Sequence, residues 1–543
     1  IVKQLSSIQN FGAMNILCTD KTGTLTLNKI ILIENINILG KIDPQVLHYA
    51  YINSHYQTGF KNLLDTAVIK HAKDNKVNNV EINYKKIDEL PFDFKRKRLS
   101  ILVEDKNKEK ILICKGAVEE VLSICSYYEL NKKEYPLDSK AIETIKQMNE
   151  RYSKEGYRVI AVAHKHEDSD HDEKIAQSES NLVFSGLMTF LDPPKDSAIE
   201  AIKKLNQYGV EIKVLTGDNE LVTNKIASDV GIEIKGTLLG REIEKMDDKT
   251  LRKTAEKITI FAKLAPDHKR RVIEALKSSN HVVGFLGDGI NDAPGLRAAD
   301  VGISVDGGVD IAKESAGIIL LETSLNILVD GVVEGRKVFG NITKYIKMGA
   351  SSNFGNMFSI LGASIFLPFL PMIAPQILVN NLLYDISQTA IPFDNVDQEY
   401  ITKPRKWQIA DIARFMLFFG PISSIFDYIT YFIMLFVFHT WNNPSLFQTG
   451  WFVESLITQT MIVHVIRSRK MPFFQTWASL PLTATTFFVV ALGVFITFSP
   501  FAHFFNFVRL PVFYWPILGL ILFSYIILTQ LVKTWYIRKF GFN

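Results

Sequence analysis

The stretch Asn15-Ile-Leu-Cys-Thr-Asp20-Lys-Thr-Gly-Thr-Leu-Thr26 is a short apolar run that ends in a carboxylate, followed by a lysine, three threonines and a glycine. It reads as a buried strand that delivers a nucleophile. A parallel strand of an α/β sheet sets its last side chain at the carboxyl edge, where ligands bind, and Gly23 lets the backbone come close to a phosphate. A carboxylate placed there can attack a phosphoryl group and hold it as an acyl phosphate if cations neutralise the crowded charge, a task for Lys21 and a metal ion. Three further turns carry matching chemistry. Val214-Leu-Thr216-Gly217-Asp218-Asn219 is a strand running into a polar turn, with Asn219 placed to cap a helix whose first amides favour phosphate. Phe261-Ala-Lys-Leu-Ala-Pro-Asp-His-Lys269 puts a lysine in the first turn after a proline. Residues 281–286 lead into Gly287-Asp288-Gly289-Ile-Asn291-Asp292-Ala-Pro294, where two carboxylates and an amide crowd one strand end and offer hard oxygens to Mg²⁺. Two readings compete with a phosphoryl-transfer centre: an ordinary Thr/Gly-rich strand end, and a soluble phosphohydrolase on the same sheet without ATP preference.

Short apolar strands alternating with helices must position these turns, and residues 186–191 and 211–215 are assigned to the same doubly wound α/β sheet. Between about residues 29 and 184 the pattern changes to alternating strands and amphipathic helices, including 110–114 and 63–72, with a polar loop at 167–172. An inserted domain is expected there, closed by the stiff boundary Asp192-Pro-Pro-Lys195. Within it, Leu90-Pro-Phe92-Asp-Phe-Lys-Arg-Lys97-Arg-Leu-Ser100 joins an aromatic ring to a run of cations. Such a run makes either a solvated basic face or a pocket that stacks adenine and holds phosphates. Cys18, Cys114 and Cys125 have spacings that suit neither a zinc site nor a disulfide framework, in keeping with a reducing cytosolic face. A net charge of +4 is too small to argue for nucleic acid.

From Asp20 to Thr26 the sequence resembles the P-type cation-transporting ATPases, whose phosphorylated aspartate lies in Asp-Lys-Thr-Gly-Thr-Leu-Thr, and the Thr216, Lys269 and Asp288 turns follow in that family's order. The resemblance runs through the whole chain. It implies a haloacid-dehalogenase-like, doubly wound phosphorylation domain at 1–32 and 189–340, an inserted α+β nucleotide-binding domain at 33–188 and a transmembrane domain of six helices at 341–543. ATP and Mg²⁺ are the implied cofactors. Asp20, Lys21, Thr22, Thr24, Thr216, Gly217, Asp218, Lys269 and Asn291 are the implied catalytic residues, with Mg²⁺ bridging Asp20, the Thr22 carbonyl, Asp288 and Asp292. Lys115-Gly-Ala is similar to the family's nucleotide-domain lysine motif, and Asp65 matches its acidic residue beside the purine. Asp65, Phe92, Lys97, Lys115 and Arg158 are therefore expected at the nucleotide.

Beyond about Lys347 long runs of Phe, Ile and Leu take over. A helix is expected at 325–348, followed by six apolar stretches at about 350–370, 377–392, 415–438, 451–466, 482–498 and 512–532, each near the length that spans hydrocarbon. Lys344 and Lys347, then Lys403, Arg405 and Lys406, then Arg467, Arg469 and Lys470, then Lys533, Arg538 and Lys539 mark alternate ends, which puts both ends of the bundle and the catalytic part in the cytosol. Asn353 and Asn356 share one helix face, and Asn381 and Asp385 another, so four oxygen-bearing groups could face one another, or serve as interhelical hydrogen bonds. In the resembling family the corresponding helices line the cation site, and Asn356, Asn381 and Asp385 fall on coordinating positions. Asp427 and Glu454 lie near spans on faces the sequence does not place.

Asn53-Ser-His-Tyr-Gln-Thr-Gly59, Leu382-Leu-Tyr-Asp-Ile-Ser-Gln388, Ile391-Pro-Phe-Asp-Asn-Val-Asp397 and Phe419-Gly-Pro-Ile-Ser-Ser-Ile-Phe-Asp427 resemble the bacterial magnesium-transporting subfamily. That resemblance implies Mg²⁺ import across the bacterial inner membrane, with ATP, the divalent cation and membrane lipid as partners. Ligand chemistry alone leaves another divalent cation open. The family's actuator loop contains a glycine–glutamate pair that is not found in this sequence, and only nineteen residues precede Asp20. A carboxyl-terminal portion of a pump, lacking the actuator domain and the first four membrane helices, is expected, with an inactive remnant as the alternative. Gly295 and Gly317 stand where the subfamily has Ala and Asp, at a cost of up to about 1 kcal/mol for glycine in a helix.

Overall fold

The computed structural model describes residues 1–27, 29–58, 62–75, 83–93, 96–167, 179–322 and 324–541. Gly59, Phe94, Lys95 and the expected loop from residue 168 onward lie outside the described residues. The chain forms two compact units, one of residues Ile1–Gln4, Asn15–Asn206 and Val210–Val329, the other of Leu5–Met14, Gln207–Gly209 and Asp330–Asn543.

The first unit holds two sheets. One has seven strands: β1 (Ile16–Thr19), β2 (Glu211–Leu215), β3 (Thr237–Leu239), β4 (Ile260–Ala262), β5 (Val283–Leu286), β6 (Val301–Val305) and β7 (Ile318–Leu320). They are parallel throughout, in the order β3-β4-β2-β1-β5-β6-β7. Parallel neighbours need crossovers, which the helices Asp196–Gln207, Glu220–Asp229 and Pro266–Ser278 supply. The strands are short and apolar because both faces are buried: Ile16, Cys18, Phe261 and Phe285 pack against Val272, Ile273 and Leu276 of the Pro266–Ser278 helix. Register then fixes the site. Thr19 of β1 lies beside Val214 of β2 and Leu286 of β5, so Asp20, Thr216 and Asp288 emerge at one edge.

The second sheet has eight strands, antiparallel except where Cys125–Leu130 runs parallel to Leu182–Leu191. The helices Pro44–Tyr56 and Leu63–Asp74 cover it through Val46, Ala50, Val68 and Ala72. Residues 186–191, assigned above to the doubly wound sheet, instead complete strand Leu182–Leu191 of this one, between Ile31–Ile36 and Arg158–Glu167. All but the last residue of that strand is buried, and a strand buried on both faces reads alike in either sheet.

Six long helices follow: α1 (Asn326–Phe366), α2 (Ala374–Gln388), α3 (Ile409–Phe432), α4 (Pro444–Ile466), α5 (Leu480–Phe498) and α6 (Tyr514–Phe540). The helix expected at 325–348 and the first apolar stretch are one element, since α1 passes through Gly349 without interruption. A single glycine costs a helix about 1 kcal/mol and does not end it. The α3 helix continues as a π turn through Ile433–Val437. Among the described residues, three segments are long and apolar enough to cross a membrane: Ile409–Val437, Leu480–Phe498 and Tyr514–Phe540. Where a span is expected at 377–392 the structure has the fifteen-residue α2. The α4 helix is buried without interruption from Phe447 to Thr460, although Gln448, Glu454 and Gln459 lie within that run. Two of the cations counted above by their spacing, Lys344 and Arg467, are held by one carboxylate. Asp394, between α2 and α3, accepts from Lys344 of α1 at 2.7 Å, from Arg467 beyond α4 at 3.0 Å and from the Ser479 amide before α5 at 3.1 Å.

Candidate functional site

Asp20 closes β1, and its amide donates to the Leu286 carbonyl at 3.1 Å, which extends the sheet ladder by one residue and turns the side chain out at the edge. Its Oδ1 accepts from the Lys21 amide at 2.6 Å. The Lys269 ammonium donates to Asp20 Oδ2 and to Asp292 Oδ1, both at 2.7 Å. Lys269 reaches both because Pro266 starts its helix beside β5, where Lys269 is 2% exposed. Thr24 Oγ donates to the Asp20 carbonyl and receives Thr19 Oγ at 3.1 Å, which fixes the loop after the strand. Gly23 has φ +76°, and a Cβ there would press on the Asp288 carboxylate, so only glycine suits this turn.

Sequence reasoning missed the brace beneath this loop. Lys195 donates to the Gly23 carbonyl at 2.7 Å and Thr26 donates to Asp192 at 2.5 Å, so Asp192-Pro-Pro-Lys195, read as a boundary, clamps the phosphate-facing turn. The signal was present in a cation and a carboxylate flanking two prolines.

On the other side, buried Thr216 ends β2, and its Oγ accepts from the Asp218 amide at 3.2 Å. Asp218 receives Lys21 at 2.6 Å and Thr22 Oγ at 3.0 Å, while Asn219 caps the next helix through the Leu221 amide at 2.7 Å. Gly217 and Asn291 are exposed.

Charge crowding sets the titration of this edge. Burial pushes the Asp20 carboxyl upward against the pull of Lys269. Burial also works against Lys269, but Asp20 and Asp292 outweigh it and hold the ammonium more firmly protonated than usual. Asp288 is pushed up to about 6 by burial and then by Asp292 and Asp20. Although burial opposes it, Lys21 and Arg158 keep Asp218 below the ordinary carboxylate range.

The residues fit a hard cation at Asp20 and Asp288, which emerge at the same sheet edge, with the Asp288 carboxylate over the cradle at Gly23. Asp292, expected as a further ligand, has both oxygens engaged, one by Lys269 and the other by the Gly289 amide at 3.0 Å. Among the described residues no group of three or more His, Cys, Asp or Glu side chains forms a metal cage. Two carboxylates suit Mg²⁺, which keeps several of its waters.

The expected nucleotide residues separate into two sets. Lys97 and Arg158 line a cleft of about 760 Å³ together with Lys21, Gly217 and Asp218, a volume that takes a nucleotide. Lys97 is exposed and pairs with Glu120 at 2.9 Å. Asp65 is 0% exposed and bound to Lys115, which also donates to Ser54 at 2.6 Å, so this pair faces the interior rather than the cleft. Asp65 also closes a capping box with Asn62 at the start of its helix. Phe92 stands exposed on strand Tyr84–Asp93 and is not among the residues that line the cleft.

The polar groups expected at a transported cation lie on α1 and α2. Asn353, Asn381 and Asp385 are exposed, and the half-buried Asn356 accepts from Gln459 at 2.9 Å. Asp427 and Glu454, which the sequence left unplaced, are 1% and 0% exposed.

The family described as P-type ATPase, cytoplasmic domain N, matches residues 49–197, and that described as Cation transporting ATPase, C-terminus, matches 369–535. Over 546 residues the chain is 52% identical to the Magnesium-transporting ATPase, P-type 1, of Escherichia coli (strain K12), covering 100% of this chain and 61% of that protein. A protein of the same name from Salmonella typhimurium (strain LT2) is 47% identical over 547 residues, covering 100% of this chain and 60% of its own length. Calcium-transporting ATPase 1 of Lactococcus lactis is 29% identical over 427 residues, covering 75% of this chain and 48% of that protein. The chain thus spans about 60% of the length of the magnesium-transporting relatives it matches.

Proposed function

Since the chain belongs to the P-type cation-transporting ATPases, we propose that it takes the γ-phosphoryl group of ATP onto Asp20 and couples that step to moving Mg²⁺ into the cytosol across a bacterial inner membrane. The observation that carries this reading is the Lys269 ammonium bridging Asp20 and Asp292 beside Asp288. An Asp20 oxygen forms the new bond to phosphorus as the bond to the ADP oxygen breaks, leaving an acyl phosphate. Lys269 holds the attacking carboxylate, while Thr24 and Thr216 stand at the same edge to receive the equatorial oxygens. Lys97 and Arg158, in one cleft with Lys21, would hold the polyphosphate. Mg²⁺ bound by Asp20, the Thr22 carbonyl and Asp288 would supply neutralisation of phosphoryl charge.

In this reading the haloacid-dehalogenase-like phosphorylation domain is drawn from 1–32 and 189–340, the nucleotide-binding domain from 33–188 together with the whole of strands Ile31–Ile36 and Leu182–Leu191, and 341–543 is a six-span bundle with cytosolic ends. Asn353, Asn356, Asn381 and Asp385 are the candidate ligands of the transported ion. The exposure of three of them suits a site completed by a further segment of the longer relatives. The calcium-transporting relative makes Ca²⁺ the competing cargo, so transport is measured with each ion alone. The test of the central step is Asp20→Asn. An acid-stable, hydroxylamine-labile phosphoprotein formed from ATP should vanish, and its persistence would exclude Asp20 as the acceptor.

A further inference from the structure

We propose, on the reading that ATP occupies the cleft lined by Lys97 and Arg158, that Glu179 is a positioning residue for the nucleotide: it grips the two arginines flanking Lys97 and so holds the Lys97 ammonium toward the phosphates. The Glu179 side chain is 4% exposed and lies against the start of strand Arg98–Asp105. It accepts from Arg96 Nη1 at 3.0 Å and 2.8 Å, one bond to each oxygen, from Arg98 Nε at 3.2 Å and from the Ser100 hydroxyl at 2.7 Å. Charge-assisted bonds of this kind are strong and directional, and both arginines lose their freedom to them. Glu179 is not among the residues that line the cleft, so it acts on the nucleotide through Lys97.

Between the two arginines Lys97 has φ +48°, in the left-handed region that a residue with a Cβ seldom keeps unaided. Its amide donates to the Asp93 carbonyl at 2.6 Å, and its carbonyl receives the Ala117 amide at 3.0 Å. A Cβ at Gly116 would lie 2.6 Å from that carbonyl oxygen and 2.5 Å from the Arg98 Cβ, so the turn is pressed against the Gly116–Ala117 backbone, and Ala117 lines the cleft. None of these contacts involves the Lys97 side chain, which is 58% exposed and pairs with Glu120 at 2.9 Å. An exposed ion pair contributes little, so a polyphosphate entering the cleft can draw the ammonium away from Glu120. The backbone that carries the ammonium stays in place because Arg96 and Arg98 are tied to Glu179. Strand Arg98–Asp105 is meanwhile paired along its backbone with both neighbours, Tyr84–Asp93 and Lys110–Gly116, so the sheet does not depend on Glu179 for its register.

A double-mutant cycle on the purified chain in detergent, read as the dissociation constant of a non-hydrolysable ATP analogue, tests this assignment. Lys97→Ala should weaken binding by about 10–100-fold, the range for a hydrogen bond to a charged group. Glu179→Gln should weaken it by about 5–10-fold alone and by less than about 2-fold when Lys97 is already replaced by alanine, since there is then no ammonium to misplace. Arg96→Gln loosens the same grip from its more exposed side and should repeat that pattern, so it carries the cycle if Glu179→Gln does not fold. Losses that add in the double variants would overturn the proposal by making Glu179 a support of the cleft as a whole. Wild-type affinity in Glu179→Gln and Arg96→Gln, with Lys97→Ala weakened, would overturn it while leaving ATP in the cleft. Wild-type affinity in Lys97→Ala would overturn it together with that reading of the cleft.

Discussion

Replacing Lys269 with methionine removes the cation that touches both Asp20 and Asp292, at equal distances of 2.7 Å. The two contacts have different consequences. Asp292 is 1% exposed, and losing the partner of a buried charge costs about 3–5 kcal/mol, an upper bound here because one carboxyl can take up a proton instead. Asp20 changes charge during phosphoryl transfer, and losing a preorganised charged group at a reacting centre slows chemistry by about 10²–10³, or about 2.7–4 kcal/mol. Lys269→Met should therefore lower both melting temperature and the rate of phosphoprotein formation. Lys269→Arg separates the two, since a guanidinium keeps the charge near Asp292 but cannot place one nitrogen between the two carboxylates as the ammonium does. The assay is rapid-quench labelling from radiolabelled ATP at saturating Mg²⁺, with thermal unfolding in parallel. Lys269→Met labelling within about 3-fold of the wild-type rate, far short of the expected 10²–10³ loss, would refute the reasoning.

Other consequences follow from the same geometry. Because Asp288 is raised to about 6 from an ordinary 3.8, its contribution to stability is complete below about pH 4 and lost as pH rises through about 6. The melting difference between wild type and Asp288→Asn should follow that course without metal and flatten with Mg²⁺; a difference independent of pH would contradict it. Lys115→Met leaves Asp65 buried and uncompensated and should cost about 3–5 kcal/mol of stability. Lys97→Ala and Arg158→Ala should instead weaken binding of a non-hydrolysable ATP analogue, each by about 1.5–3 kcal/mol, at unchanged melting temperature. Equal effects in all three variants would return Asp65 and Lys115 to the nucleotide. Asp385→Ala should stop Mg²⁺ uptake while sparing nucleotide binding, and unaltered uptake would remove Asp385 from the ion path.

The strand ends were legible because chemistry and punctuation coincide there: an apolar run, a polar residue, then glycine or proline. That pattern located Asp20, Thr216, Lys269 and Asp288 at one edge of a parallel sheet, although Lys269 lies 249 residues from Asp20. Partner choice was not legible. Nothing in the spacing says that Asp292 gives both oxygens to Lys269 and Gly289, or that Asp65 turns inward to Lys115. Residues 186–191 were placed in the wrong sheet because burial on both faces erases the alternation that separates sheet types. In the helices, composition revealed membrane-length segments, but α4 hides its polar face among neighbours, so the placement of Glu454 needed three dimensions.

Asp394 acts as a knot. One carboxylate fastens the α1 lysine, the arginine that ends α4 and the backbone entering α5, so these three strands of the rope cannot part at that level without baring a charge. A second set of ties sits at the far ends of these helices, where Gln448 of α4 donates to the Leu370 carbonyl after α1 at 2.8 Å and Gln376 of α2 donates to the Phe505 carbonyl after α5 at 2.9 Å, so the bundle is fastened at two levels.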